Sequence, residues 1–287
     1  PLYRELFLPQ NENNCEVIFD IQYMKNAYSQ GLSHQLYTFT YEWNSYCPTA
    51  SLAECYYTKN GYPVSWDAET QLYKSADPAF DPTYPYKDRD PRLDQSIIMP
   101  GTDNGRGTIF LPSSSNHTGM KIRKWNDYTE TEKNNSEHNI ILIRFADVLL
   151  MRAEALVESG MFDEAEVRGL IDRVRQRPSV MMPKVEDVEG TELDANALRA
   201  IIRHERRVEF AFEGTRISDI RRWRIGPEMM TDAYGYRYQD VRLNPPKYIP
   251  YKVDTRSFNP NRDYLWPIPQ NEINTNPYIN APDQNPG

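Results

Sequence analysis

A chain of 287 residues with a formal charge of −8 can bury a sizeable core, as one large domain or two small ones. The acidic balance argues against nucleic acid as a partner, because that contact needs a basic surface able to displace counterions. No apolar run approaches the length of a membrane span, and 22 prolines with 20 tyrosines point to long ordered loops on a helical scaffold.

Residues 1–14 are polar and read as a surface connection. Glu16–Tyr23 alternates, with Val17, Phe19, Ile21 and Tyr23 on one side, the pattern of a half-buried strand. Residues 24–94 show no helical period and are dense in Tyr, Trp, Pro, Asn and Ser. Gln95–Met99 and Met120–Trp125 are short strand candidates on either side of the flexible turn Gly101–Gly107, and Asn126–Asn139 is a polar loop.

The helical core is expected over 140–224. From Ile140 to Gly160, Ile141, Phe145, Val148, Leu149, Ala153, Leu156 and Val157 recur at helical spacing. Gly160 suits the left-handed residue after a helix, and Asp163 with Glu166 has the spacing of a capping box for a second helix ending before Pro178. Two helices joined by a short Gly-containing turn form a hairpin whose length suits one tetratricopeptide-type unit. A second pair follows: Asp194 caps Ala195–Phe212, Gly214 breaks it, and Thr215–Trp223 forms a short helix. Residues 227–262 read as loop, and the tail 264–287 is ordered only if it packs on the body. No internal domain boundary is expected.

Candidate chemistry lies mainly in Tyr37–Trp66, which holds Tyr37, Phe39, Tyr41, Trp43, Tyr46, Tyr56, Tyr57, Tyr62 and Trp66 among amides. Sugars offer apolar C–H faces to aromatic rings and hydroxyls to Asn, Asp, Gln and Arg. Tyr41, Trp43, Asn44, Tyr46 and Trp66 are the ligand-binding candidates; the alternative is that the rings pack beneath the loop. Asp88 and Asp90 read as ion-paired turn residues rather than as a hydrolytic pair or a calcium loop. His34, His117, His138 and His204 have no metal-ligand spacing, His204 reads as a surface or ion-pair residue, and no catalytic residue, metal site or cofactor is expected. Of the three cysteines, Cys47 and Cys55 are placed to pair across a loop in an oxidising compartment, with all three reduced as the alternative.

Glu205 falls on the apolar face of its helix, so it must be paired or neutral. Its expected partners are the arginines of 203–224 or of the first hairpin. The Arg-rich block 199–224 is either an anion site or, as favoured, an internal ion-pair network built on Glu205, Arg206, Glu209, Arg216 and Asp219.

Three segments carry a resemblance: Ile143–Ala155, Glu205–Trp223, and the ending Leu265–Ile273 with Asn276-Pro277 and Gln284–Gly287. In this order they resemble the SusD/RagB family of bacterial outer-membrane nutrient-binding lipoproteins. The resemblance implies a mainly α fold with short β-strands, long ordered loops and tetratricopeptide-like helical hairpins. It implies that residues 1–287 form the C-terminal portion of such a protein, with the loop-rich ligand-binding region at 24–130. It also implies a missing N-terminal part carrying the lipid anchor, which would be the sole membrane attachment. The implied function is non-enzymatic capture of oligosaccharide on the outer face of the outer membrane, for a SusC-like TonB-dependent transporter. Peptide capture by a member of the same family, and glycoside hydrolysis, are the alternatives.

Overall fold

The computed structural model describes residues 2–285; Pro1 and the end of the C-terminal signature, Pro286 and Gly287, lie outside the described residues. In chain order the elements are β1 (Val17–Ile21), α1 (Ala50–Cys55), β2 (Val64–Asp67), β3 (Leu72–Ser75), α2 (Pro91–Ser96), β4 (Ile97–Ile98), β5 (Lys121–Ile122) and β6 (Ile140–Arg144). They continue as α3 (Phe145–Glu158), α4 (Glu164–Arg175), α5 (Val185–Val188), α6 (Ala195–Glu209), α7 (Arg216–Arg222), α8 (Gly226–Met229), β7 (Ala233–Tyr236), α9 (Tyr238–Val241), β8 (Pro250–Asp254) and α10 (Gln270–Thr275). The strands form antiparallel pairs, β1 with β6, β2 with β3, β4 with β5 and β7 with β8, set around the helices and long loops. The expected mainly α fold with short strands is the one observed.

The hairpin α3–α4 forms where the period demands it. Gly160 ends the first helix at φ +71°, and the Asp163 carboxylate accepts from the Ala165 N–H at 3.0 Å to start the second. Glu166 does not close a capping box; it pairs with Arg152 instead. Leu149, Leu150, Ala153 and Val157 pack against Val167, Leu170, Ile171 and Val174. Leu198, Ile201 and Ile202 of α6 complete this cluster, under a helix started by Asp194 accepting from the Ala197 N–H at 2.8 Å. Helix α6 packs on α3 and α4, while α7 packs on the short α8, so α6 and α7 do not repeat the hairpin as expected.

Several expectations are corrected. Ile140–Arg144 is a strand rather than the first turn of the helix, because its apolar run pairs with β1. On β1 the expected inward face is open: Phe19 is 56% and Ile21 44% exposed, since nothing among the described residues covers that side of the two-stranded ribbon. Leu142, Ile143, Phe145 and Val148 continue the exposed apolar surface. The segment expected to be a surface connection is more than that over residues 2–14, because Tyr3, Leu6 and Phe7 are buried. Residues 227–262 contain the β7–β8 hairpin and α9, where glycine and tyrosine at Gly235 and Tyr236 lie against the backbone of Thr118.

A buried ion network ties these layers together. Arg92, fully buried at the start of α2, donates to Asp90 at 2.7 Å, Glu205 at 2.5 Å and Glu209 at 2.9 Å. Arg175 of the first hairpin binds Glu205 at 2.9 Å. Arg144 and Arg177 bind Glu209 at 2.8 and 3.0 Å and share Glu16. Lys124 reaches Glu213 at 2.5 Å, and burial pushes its pKa down to about 8. The partners of Glu205 and Glu209 among the described residues thus come from Arg92, from Arg144 on β6 and from Arg175 and Arg177 at and just past the end of the first hairpin, and none comes from 203–224. Arg206 pairs with Asp219 at 3.0 Å and Asp147 at 2.7 Å. Arg216 stands apart from the network: its Nη2 meets the Met229 sulfur at 3.1 Å.

No helix among the described residues is long and apolar enough to cross a membrane. Cys15, Cys47 and Cys55 are all free thiols; Cys47 and Cys55 donate to the carbonyls of Asn44 and Leu52, respectively, so the expected pair is not formed.

Candidate functional site

The first half of the aromatic stretch folds into a single turn of wide helix, Thr38–Glu42, closed by the Trp43 N–H donating to the Thr38 carbonyl at 2.9 Å. Thr38 and Thr40 point inward. The Thr40 hydroxyl bonds the Leu36 carbonyl at 2.7 Å and the Asn126 side chain at 3.0 Å, and Thr38 accepts from the Asn134 N–H at 3.2 Å. With its threonines tied down, the turn must place its alternate side chains outward. Wide turns of this kind carry one residue more than an α-turn and recur where side chains are redirected to a site. Asn44 then takes a left-handed backbone at φ +52°, a conformation that asparagine tolerates better than most residues. This reverses the chain so that Tyr46 returns beside Phe39.

The result is a platform of two exposed rings, Trp43 and Tyr46, resting on the half-buried Phe39. Phe39 meets Trp43 edge-on at 5.6 Å and Tyr46 at 5.8 Å. Trp43 is 55% and Tyr46 59% exposed, high values for rings that cost free energy to leave in water. Behind them Tyr37 and Tyr41 stack at 5.7 Å, and Tyr41 lies between Lys121 at 4.5 Å and Arg106 at 4.9 Å from its ring centre. Lys121 also donates to the Tyr41 carbonyl at 2.8 Å, and burial lowers its pKa. Arg106 donates to the Tyr37 hydroxyl at 3.2 Å and the Glu130 carbonyl at 2.6 Å. Glu42 and Lys133 pair at 3.3 Å beside the Trp43 ring. The Asn44 side-chain oxygen is buried without a hydrogen-bond partner. The arrangement offers apolar ring faces flanked by an amide, an ammonium and a carboxylate, which suits a ligand with C–H faces and hydroxyls.

Tyr41, Trp43, Asn44 and Tyr46 are therefore brought together, and Trp66 is not with them. Trp66 lies on β2, packed on Tyr73 at 5.2 Å, and lines a separate cleft of about 330 Å³ with Gln71, Pro245, Pro246 and Tyr248. Beneath that cleft the hydroxyls of Tyr73 and Tyr236 meet at 2.7 Å, and Tyr73 donates to Glu54 at 2.6 Å. Burial first, then the neighbouring phenol and carboxylate, raises the Tyr73 pKa far above the usual range. Tyr56 is fully buried, and the half-buried Tyr57 stacks on His204 at 4.0 Å. His204 is thus not an ion-pair residue; burial drives its pKa down to about 3. Arg106 and Lys121 were not singled out from the sequence, because no local pattern ties them to a turn more than sixty residues earlier.

The other acidic candidates are occupied. Asp88 pairs with Lys59 at 2.9 Å at the surface, and Asp90 caps α2 while bound to Arg92. Among the described residues, no group of three His, Cys, Asp or Glu side chains is arranged to hold a metal ion.

Comparison with known proteins finds relatives of the chain as a whole. The model of the SusD family matches residues 15–287. A SusD-like protein, P2, from Formosa agariphila is 33% identical over 170 residues, covering 58% of this chain and 30% of that protein. A SusD-like carbohydrate-binding protein of Bacteroides fragilis has a crystal structure that superposes with a TM-score of 0.77 at 33% identity, covering 95% of this chain and 56% of that one. Another SusD-like protein of Bacteroides fragilis superposes with a TM-score of 0.76 at 28% identity, covering 99% and 56%. The chain therefore spans little more than half the length of these structures.

Proposed function

Because the chain belongs to the SusD family, we propose that it captures oligosaccharide at the bacterial cell surface without breaking bonds. The observation that carries this reading is the pair of exposed rings Trp43 and Tyr46 on the half-buried Phe39, pinned from beneath by buried threonines and flanked by Asn44. Hydrophobic stacking of a sugar face on Trp43 is worth about 1–3 kcal/mol, comparable to other ring-stacking contacts. Capture rather than hydrolysis is supported by the acids: Asp88 and Asp90, which line one cleft with Asp94, are each held in an ion pair. The related Bacteroides fragilis protein described as carbohydrate-binding supports a glycan over a peptide.

In this reading the ligand passes to a SusC-like TonB-dependent transporter in the outer membrane, and the protein is held there by a lipid anchor outside the 287 residues. The residues described act as the C-terminal portion of a longer protein. The exposed apolar ribbon of β1 and β6, with Phe145 and Val148 beside it, supports this, since further helices packed there would bury it.

Titration of the 287-residue chain with panels of neutral oligosaccharides and of peptides, followed by tryptophan fluorescence and calorimetry, tests the proposal. Binding of a glycan that weakens at least tenfold in Trp43→Ala, with the melting temperature unchanged, is the expected result. Peptide binding alone, or glycan binding indifferent to Trp43 and Tyr46, overturns it.

A further inference from the structure

The arginine-rich block splits into two populations. Arg206 and Arg222 are engaged by Asp147, Asp219 and Glu154. Arg207 and Arg216 are not, although both are half-buried. Arg207 gives Nη2 to the Ser51 carbonyl at 2.9 Å, and Arg216 gives Nη2 to the thioether of Met229. A thioether is a weak acceptor, and each guanidinium has five N–H donors. Each half-buried guanidinium therefore has donors to spare, and Arg216 feels a carboxylate, Asp219, that is itself already bound by Arg206 and Arg222.

These two side chains line one cleft of about 450 Å³, together with Arg206 and, from the loop after β8, Arg256. Among the described residues four arginines line this cleft and no Asp or Glu does, in a chain whose formal charge is −8. Burial, followed by repulsion from Arg207, lowers the Arg216 pKa. The walls are Leu52, Phe212, Ile217 and Met229, with hydroxyls of Ser51 and Thr215. Apolar walls weaken screening and strengthen the attraction of the guanidinium groups for an anion. The forked donors of arginine match the geometry of a carboxylate or a sulfate.

We propose that this cleft binds the oxyanion of an acidic sugar residue, with Arg207, Arg216 and Arg256 on the charged group and the apolar wall against the ring. The choice of a sugar as the carrier rests on the glycan-capture reading; the anion site itself rests on the arginine arrangement. The ligand class is then a charged polysaccharide, its acid supplied either as a uronate carboxylate or as a sulfate ester.

The test is calorimetric titration of the 287-residue chain with glucuronate, glucose 6-sulfate and glucose, at 20 and 200 mM sodium chloride. At least one of the two anionic sugars binds and glucose does not, and the affinity falls with salt as exposed charge pairing requires. Preference between the two anions identifies the carboxylate or the sulfate as the source. Arg216→Gln and the exposed Arg256→Gln each weaken binding at least fivefold. Arg221→Gln leaves it unchanged, because Arg221 lies outside the cleft, over the Trp266 ring. Circular dichroism confirms that each variant is folded, and Arg256→Gln decides the matter if Arg216→Gln is not. No binding of either anion, or binding retained in Arg256→Gln and in a folded Arg216→Gln, overturns the proposal. Anion binding lost in the variants while no neutral glycan binds the Trp43 platform leaves this site standing and removes the platform reading. The reverse pattern does the opposite.

Discussion

Replacing Glu209 by Gln puts the buried network to a direct test. Glu209 is fully buried and accepts from Arg92 at 2.9 Å, Arg144 at 2.8 Å and Arg177 at 3.0 Å. Burial acts to raise its pKa, but the fields of Arg177, Arg144 and Arg92 outweigh it and hold the carboxyl well below the usual range. Gln keeps the volume, so no cavity is created. It removes the charge and turns an N–H₂ donor toward guanidinium groups, which offer no acceptor for it. Each arginine keeps a further carboxylate, from Glu205, Glu213 or Glu16. The loss is therefore that of one partner in a buried cluster, about 3–5 kcal/mol. For a chain of this size the urea slope is about 3 kcal/mol per molar or more, so the midpoint falls by about 1 M. Because the folded pKa is depressed, the stabilisation is present above the unfolded value near 4.3 and is lost as pH falls below it. The gap between wild type and variant therefore narrows from about pH 4 downward. A midpoint shift under about 0.3 M at pH 7 with an unchanged slope, or a gap indifferent to acid, would refute the reasoning.

Glu130 and His138 offer a pH test of opposite sign. They lie 3.8 Å apart, and neither side chain has a hydrogen-bond partner for its buried polar atoms. Burial raises the Glu130 pKa to about 7, with the folded carboxyl holding its proton while the unfolded one has lost it. Retaining that proton costs stability increasingly from about pH 4.5 to 7, and the full cost persists above 7, where the buried carboxyl ionises. Glu130→Gln stabilises the chain at pH 8 and does so less at pH 5, read by urea midpoints; equal effects at both pH values contradict the reading. For the thiols, Cys47 and Cys55 are free and burial raises both pKa values, so 5 mM dithiothreitol leaves the melting temperature unchanged. A drop on reduction would show a disulfide that the structure lacks.

Much of the helical scaffold is readable from sequence because its signals are local. The apolar period, Gly160 after the first helix and the caps Asp163 and Asp194 act within a few residues of where they stand. Ile140–Ile143 failed for the same reason: a short apolar run reads equally as strand or helix, and only β1, far back in the chain, decides it. The tail likewise carries no period, and it is held by few long-range contacts, such as the Gly226 N–H donating to Tyr264 and Arg221 over Trp266.

The candidate site divides along the same line. Composition marked 37–66 as aromatic-rich, but a loop has no period from which to tell an outward ring from an inward one. Threonine bonds to residues 86 and 96 positions away turned Trp43 and Tyr46 to solvent, while Trp66 went to a different cleft. The ionic network shows the limit most plainly. Sequence alone required that Glu205 have a cationic partner, because a carboxylate on an apolar face cannot stay unpaired. Tertiary structure chose Arg92, 113 residues away, and Arg175, 30 away, over the seven arginines of 203–224, because a helix aims its side chains by rotation and not by proximity along the chain. That choice also left Arg207 and Arg216 without carboxylates, and so made a cleft that no reading of the block by itself could locate.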